Sequence, residues 1–329
     1  MPKQLLLLCL WCIALYGVET DFDYVVVGTS PLSMFEALYK RCEGHRVLVV
    51  EQATECGGAW KSLTICGVPN VDLGCHEFGQ DLAVRKFLEE YAGCNIICNA
   101  PLSCQSPPTK EFYPSRGCYE LIHNLEYLLQ TSGVILWMNC KLESLFLDTD
   151  REIAEVRING ARYTTRKLLL SNSSDIQIEN PGVRDMYQAK VQTYPHLYLL
   201  IEDPTLPRFT YKNLGVNGAS RAMNLTPFAG LEGTGKQLIS FQLHKENFLD
   251  LQDNYLEELK KQGLLDPSAR ILCKQTYIYK QVLLNRTPLH QLGESANKIL
   301  EFIDTGHINH MALHLERWKR VMKPWKNAI

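Results

Sequence analysis

Four residues near the start of the chain have the types and spacing to hold the phosphates and sugar of a nucleotide: Gly28, Ser30, Ser33 and Glu51. In a strand–turn–helix fingerprint of the form GxGxxG, the first glycine makes the tight turn, the second lets backbone approach a pyrophosphate and the third lets helix pack on strand. Here the run is Gly28-Thr29-Ser30-Pro31-Leu32-Ser33, so serines stand in the second and third places. A serine is one small group larger than glycine, and its hydroxyl could cap the helix or donate to a phosphate oxygen, which leaves the helix N-terminus as an anion site. Glu51 follows at close to the roughly 20-residue spacing of an acid that accepts hydrogen bonds from ribose hydroxyls.

The elements that must position these residues are legible around them. "YVVV" from Tyr24 is β-branched and apolar, Pro31 suits a first helical turn, and "LSMFEALYK" has apolar residues at helical spacing. "RVLVVE" then reads as a second buried strand ending in Glu51, which completes a βαβ unit and sets the fold class as α/β. Further on, "QDLAVRKFLEEYAG" and "GCYELIHNLEYLLQTSG" read as helices, with the Pro- and Ser-rich "NAPLSCQSPPTKEFYPSRG" between them as a loop. "VILWMNCKLESLFLD" reads as a strand pair, and Asn159-Gly160 marks the turn of a hairpin over 153–171. Apolar alternating runs at 197–201, 237–243 and 271–283 then surround one helix, "NFLDLQDNYLEELKKQG". The tail from Ser295 to Lys323 reads as helical, with Pro324 as its stop.

Two further motifs follow Glu51: the pair Gly57-Gly58 in "EQATECGGAW", and "VDLGCHEF" at 71–78. Taken in order over roughly residues 22–175, these segments resemble the flavoproteins related to amine oxidase, protoporphyrinogen oxidase and UDP-galactopyranose mutase. The resemblance implies a Rossmann-like FAD/NAD(P)-binding domain over 22–172, with 76–114 partly in a second domain. It also implies an interleaved α+β substrate domain on an antiparallel sheet over 173–289, and a C-terminal helical return over 290–329. It implies FAD, held by Gly28, Thr29, Ser30, Ser33, Glu51, Gly57, Gly58, Ala59 and Trp60. Gly74 and His76 would lie near the isoalloxazine ring, with His76 a candidate proton-transfer group. The activity implied is hydride transfer from a small or lipophilic substrate to the flavin, a chemistry that belongs to the cofactor while the protein positions it. Two alternatives stay open. "GCHEF" suggests a non-redox, mutase-like flavoenzyme. Ser30, Ser33 and the lack of a strand and Gly-Asp turn before the last helix suggest a cofactor-free binding protein, as the Rab GDP-dissociation inhibitors are on this fold.

Composition narrows the partners. A net charge of −2 and a pI near 6.5 give no basic stripe for nucleic acid. Residues 1–20, with Lys3 ahead of an apolar run from Leu5 to Val18, read as a signal peptide or N-terminal anchor, hence a secretory or exported protein. Export would permit disulfides among the 12 cysteines and glycosylation at the sequons of Asn172, Asn224 and Asn285. His307, His310 and His314 would share one face of a helix, without completing a known metal pattern, so no metal is expected. The basic, Trp-containing "ERWKRVMKPWK" could touch an anionic membrane surface. "GLEGTGK" at 230–236 is a turn rather than a phosphate loop.

Overall fold

The computed structural model describes residues 19–73, 81–99, 111–171, 176–180, 189–202, 211–216, 219–243, 260–261, 266–284, 294–303 and 308–327. Its larger sheet is built outward from β1 (Phe22–Val27), an apolar strand whose last three residues are buried. The chain leaves β1 through Gly28, runs along helix α1 (Pro31–Cys42) and returns as β2 (Val47–Val50), parallel to β1 in the register Val25↔Leu48 and Val27↔Val50. After the strand hairpin β3 (Ser62–Ile65) and β4 (Val68–Asp72) come helix α2 (Leu82–Tyr91), the antiparallel pair β5 (Ile96–Asn99) and β6 (Glu111–Pro114), and helix α3 (Gly117–Ser132). The Pro- and Ser-rich loop of the sequence reading therefore ends in a strand, because Glu111–Pro114 finds the backbone of β5 to pair with.

The chain re-enters the sheet as β7 (Ile135–Trp137), parallel to β2, and forms a meander of β8 (Leu142–Asp148), β9 (Ile153–Ile158) and β10 (Ala161–Ser171). The β9–β10 turn is Asn159-Gly160, both at positive φ as a two-residue hairpin requires. Strand β10 does two jobs along its length. Its first half pairs with β9, and its second half runs parallel to β1, with Val26 opposite Leu169. The short β11 (Gln177–Ile178) then lies parallel to β8 at the sheet edge.

Alternation along these strands covers both faces, as a parallel sheet requires. Val26, Val47, Val49 and Leu169 join the core under α1 and α3, while Val25, Val27, Leu48, Val50, Leu168 and Leu170 join a second core on the opposite face. A separate five-stranded antiparallel sheet has the order β13 (Tyr211–Val216), β14 (Ala219–Asn224), β15 (Lys236–Leu243), β12 (Ala189–Glu202) and β16 (Arg270–Leu284). Tyr198, Leu200 and Met223 of that sheet enter the same core as α1 and α3, and a Cys66–Cys273 disulfide ties the β3–β4 turn to β16.

The C-terminal segment corrects the expectation of a tail helical through most of its length and without a returning strand. A short helix α4 (Glu294–Ile299) leads directly into β17 (Leu300–Ile303), which pairs parallel to β10 from Leu168↔Leu300 to Ser171↔Ile303. Four residues with an open parallel edge beside them gain more from the ladder than from extending a helix. A 3-10 stretch (Ile308–Leu313) and helix α5 (Leu315–Val321) follow and pack on α1 and α2.

Candidate functional site

The site that the sequence singles out lies where β1, β2 and β10 end, at the N-terminus of α1. Gly28 has φ +93°, a conformation that L side chains rarely adopt, and its amide donates to the Val50 carbonyl at 2.8 Å. A Cβ placed there would come within 2.1 Å of Ser171 Oγ, which itself donates to the Val27 carbonyl at 2.5 Å. The first fingerprint glycine is therefore demanded by the return strand β10, independently of any bound group.

Glu51 and Thr29 face each other across the same turn. Glu51 Oε2 accepts from the Thr29 amide at 3.0 Å and from Thr29 Oγ1 at 2.6 Å, while Oε1 accepts from the Ala53 amide at 2.8 Å. Thr29 Oγ1 accepts in turn from the Gly57 amide at 3.0 Å. Glu51 is 6% exposed and Thr29 1%. The ribose-binding acid of the sequence reading is thus engaged by this chain's own donors.

At the helix mouth, Ser30 is the N-cap of α1: its side chain accepts from the Ser33 amide at 3.3 Å, and the Ser30 and Ser33 hydroxyls pair at 2.8 Å. Pro31 in the first turn offers no N–H to a phosphate. Ser30 and Ser33 are buried. FAD needs a free carboxylate at its ribose and open backbone at its pyrophosphate. Here the carboxylate holds a threonine, and serine hydroxyls close the place of the second and third glycines. The residues present do not fit that group in this conformation.

The remaining expected contacts divide. Gly57 and Gly58 both have positive φ, at 108° and 55°, and Gly58 is exposed with open space around it, so the glycine pair keeps a sharp backbone turn beside the site. Ala59 is half-buried against the core. Trp60 is 4% exposed and part of the core under α1 and α3, carried inward by the 3-10 turn at Gly58–Trp60. Gly74 and His76 lie outside the described residues, as do residues 1–18 and the sequons of Asn172 and Asn285. Asn224, the one sequon asparagine among the described residues, is 2% exposed and donates to Gln237 Oε1.

His307 also lies outside the described residues; His310 belongs to the 3-10 stretch and His314 is the N-cap of α5, so they do not form one α-helical face. The two C-terminal tryptophans turn inward. Trp318 is 1% exposed and stacks on Phe35 at 5.3 Å, and half-buried Trp325 packs against Tyr127. Among the described residues no helix is long and apolar enough to cross a membrane, and no group of histidine, cysteine and carboxylate side chains could hold a metal ion.

Sequence reasoning missed two buried polar nodes. Asp72, 2% exposed, accepts from Tyr113 Oη at 2.5 Å, from Ser62 Oγ at 2.9 Å and from the Cys118 amide at 2.9 Å, and so ties β4 and β6 to the start of α3. Burial, reinforced by the Asp72 charge, pushes the Tyr113 hydroxyl and the Cys118 thiol well above their ordinary ranges. Glu36 on α1 accepts from Arg317 Nη2 at 2.5 Å and Trp318 Nε1 at 2.9 Å, which docks α5; burial raises its pKa against the opposing pull of both partners. Nothing in local spacing links residue 36 to residue 317.

Next along the chain from Glu51 lies an open cleft of about 450 Å³, bounded by the 54–56 turn, β3 and one face of α3. Its polar lining includes Glu55, Lys61, Asn70, His123 and Glu126. Tyr119 and His123 stack along α3 with ring centroids 5.7 Å apart, and Arg116 lies 5.6 Å from the Tyr119 ring. Cys56 also lines it, and its thiol is pushed up to about 12 by burial and then by the charges of Glu126 and Glu51.

No protein-family model matches the sequence, and no curated protein matches it. Solved structures do match the fold. The chain is similar to reduced UDP-galactopyranose mutase, with a TM-score of 0.62 at 10% identity over 86% of this chain and 88% of that one. It is similar to the RAB GDI of Plasmodium falciparum, with a TM-score of 0.59 at 11% identity over 94% of this chain and 99% of that one. An oxidoreductase from Methanosarcina mazei matches with a TM-score of 0.57 at 13% identity, over 77% and 87%. At these identities the likeness is one of fold: a mixed α/β architecture shared with FAD-dependent oxidoreductases, the mutase and GDI-like proteins.

Proposed function

We propose that this chain is a cofactor-free binding protein on a flavoprotein fold, taking its ligand in the cleft between β3 and α3. The observation that carries this reading is the state of the nucleotide position: Thr29, Ser30, Ser33 and Glu51 are all buried and hydrogen-bonded to one another or to adjacent backbone. A buried carboxylate with three donors already in place has little to gain from a ligand hydroxyl, since each new bond replaces an existing one. The Cys66–Cys273 disulfide supports a secretory or exported setting, in line with the N-terminal apolar run.

The test is the visible absorption spectrum of the purified full chain, with a thermal shift on adding FAD. This reading expects a colourless protein whose melting temperature FAD does not move. Flavin bands, or a clear upward shift, overturn it. They would favour the second reading, an FAD-dependent oxidoreductase that takes hydride from a small or lipophilic substrate. That reading draws support from the left-handed pair Gly57-Gly58 and from β17, which returns the chain's end to the sheet beside β10.

A further inference from the structure

The hydroxyl of Thr29 has the donor and acceptor pattern of a bound ribose hydroxyl. A ribose hydroxyl held by the acid of a dinucleotide fold donates to the carboxylate and can accept from a nearby backbone N–H. Thr29 Oγ1 donates to Glu51 Oε2 at 2.6 Å and accepts from the Gly57 amide at 3.0 Å. The bridge joins the two elements that the sequence offers for a nucleotide: the acid at the end of β2 and the glycine pair that follows it.

We propose that Thr29 is a built-in substitute for a ribose hydroxyl and the residue that excludes ribose-bearing ligands from Glu51. This rests on the cofactor-free reading and adds a single residue to it. Two features argue that the hydroxyl excludes ligands rather than only bracing the turn. It occupies Glu51 Oε2 and links it to the Gly57 amide, leaving the other contacts of the carboxylate, from the Thr29 and Ala53 amides, to backbone that a side-chain change leaves in place. It is also fully shielded, with Thr29 at 1% exposure, so an entering hydroxyl has to displace the side chain and regains only the bonds that it breaks. Shortening residue 29 removes the competitor and vacates its volume, while the Glu51 carboxylate and the Gly57 amide stay anchored by their own elements.

The experiment uses the full chain and three variants. Thr29→Ala removes the hydroxyl and opens space, Thr29→Ser keeps the hydroxyl, and Thr29→Val keeps the shape without it. Binding of adenosine and ADP-ribose is measured by calorimetry and ligand-observed NMR, with 2′,3′-dideoxyadenosine as the control. The expected result is a gain of at least about tenfold in affinity for adenosine in Thr29→Ala alone, a factor matching one hydrogen bond, and lost with the dideoxy control. A folded Thr29→Ala that gains nothing overturns the role of Thr29 while the cofactor-free reading stands. Flavin bound by the unaltered chain overturns both. Thr29→Val supplies a second readout that does not depend on Thr29→Ala folding: hydrogen exchange at the Gly57 amide should quicken about tenfold when its acceptor is lost. Unchanged protection at Gly57 overturns the bridge itself.

Discussion

Replacing Gly28 by alanine tests whether this glycine serves a nucleotide or the packing of β10. At φ +93° an L residue pays roughly 1–2 kcal/mol in backbone strain. The added Cβ would stand 2.1 Å from Ser171 Oγ, closer than any real contact, so that hydroxyl must rotate away. Rotation breaks its 2.5 Å bond to the Val27 carbonyl, and leaving a buried polar group unpaired costs about 1–3 kcal/mol. The expected loss is the sum, roughly 2–5 kcal/mol. Ser171→Ala removes the colliding atom, so Gly28→Ala made in that background should cost only the backbone part, roughly 1–2 kcal/mol. Urea unfolding followed by tryptophan fluorescence and circular dichroism, on the parent, both single variants and the double variant, gives the coupling. Equal costs of Gly28→Ala in the two backgrounds would refute the assignment of this glycine to the Ser171 contact, and so would a cost near zero in the parent.

Three further outcomes are expected. The folded-state pKa of Glu36 is raised, by burial foremost, so its stabilising share is fully present below its ordinary value of 4.5 and is lost as pH rises through the folded value. Measured against the non-titrating Glu36→Gln, the parent should therefore lose relative stability as pH rises from 4 toward neutrality; an unchanged difference removes Glu36 as a titrating contact. Peptide mapping under non-reducing conditions should recover the Cys66–Cys273 pair, and Cys66→Ser should cost about 3–5 kcal/mol, a figure for closing a long loop. A stability equal to the parent's would show that the bridge adds nothing. Cys56, Cys94 and Cys118 are buried, which also raises their thiols, so iodoacetamide at pH 8 should leave all three unlabelled until denaturant is added, while Cys42, its thiol also raised by partial burial but exposed, is slowly modified in the native protein. Mass spectrometry reads the sites, and native labelling at Cys94 contradicts the packing around α2.

Local signals carried the framework. β-branched runs with a proline-started helix between them announced β1, α1 and β2, and Asn159-Gly160 announced the β9–β10 hairpin, because each depends on residues adjacent in sequence. The tail was misread for the same reason: 300–303 has no strong strand pattern of its own, and its conformation comes from the open edge of β10. Trp60 and Trp318 stand in a glycine-rich turn and a basic segment whose local patterns say nothing of burial, and both are core residues because a turn and helix docking carry them inward.

The sequence by itself determined that a glycine, two serines and an acid would meet at a strand–helix turn, since the βαβ unit brings those positions together wherever it forms. Only the tertiary structure decided what they do there. Whether Glu51 faces a ligand or a threonine depends on a few ångströms across the turn and on the amide of Gly57, which local periodicity does not encode. Likewise the need for glycine at position 28 comes from Ser171, a residue brought alongside by parallel pairing of β1 with β10 rather than by any motif.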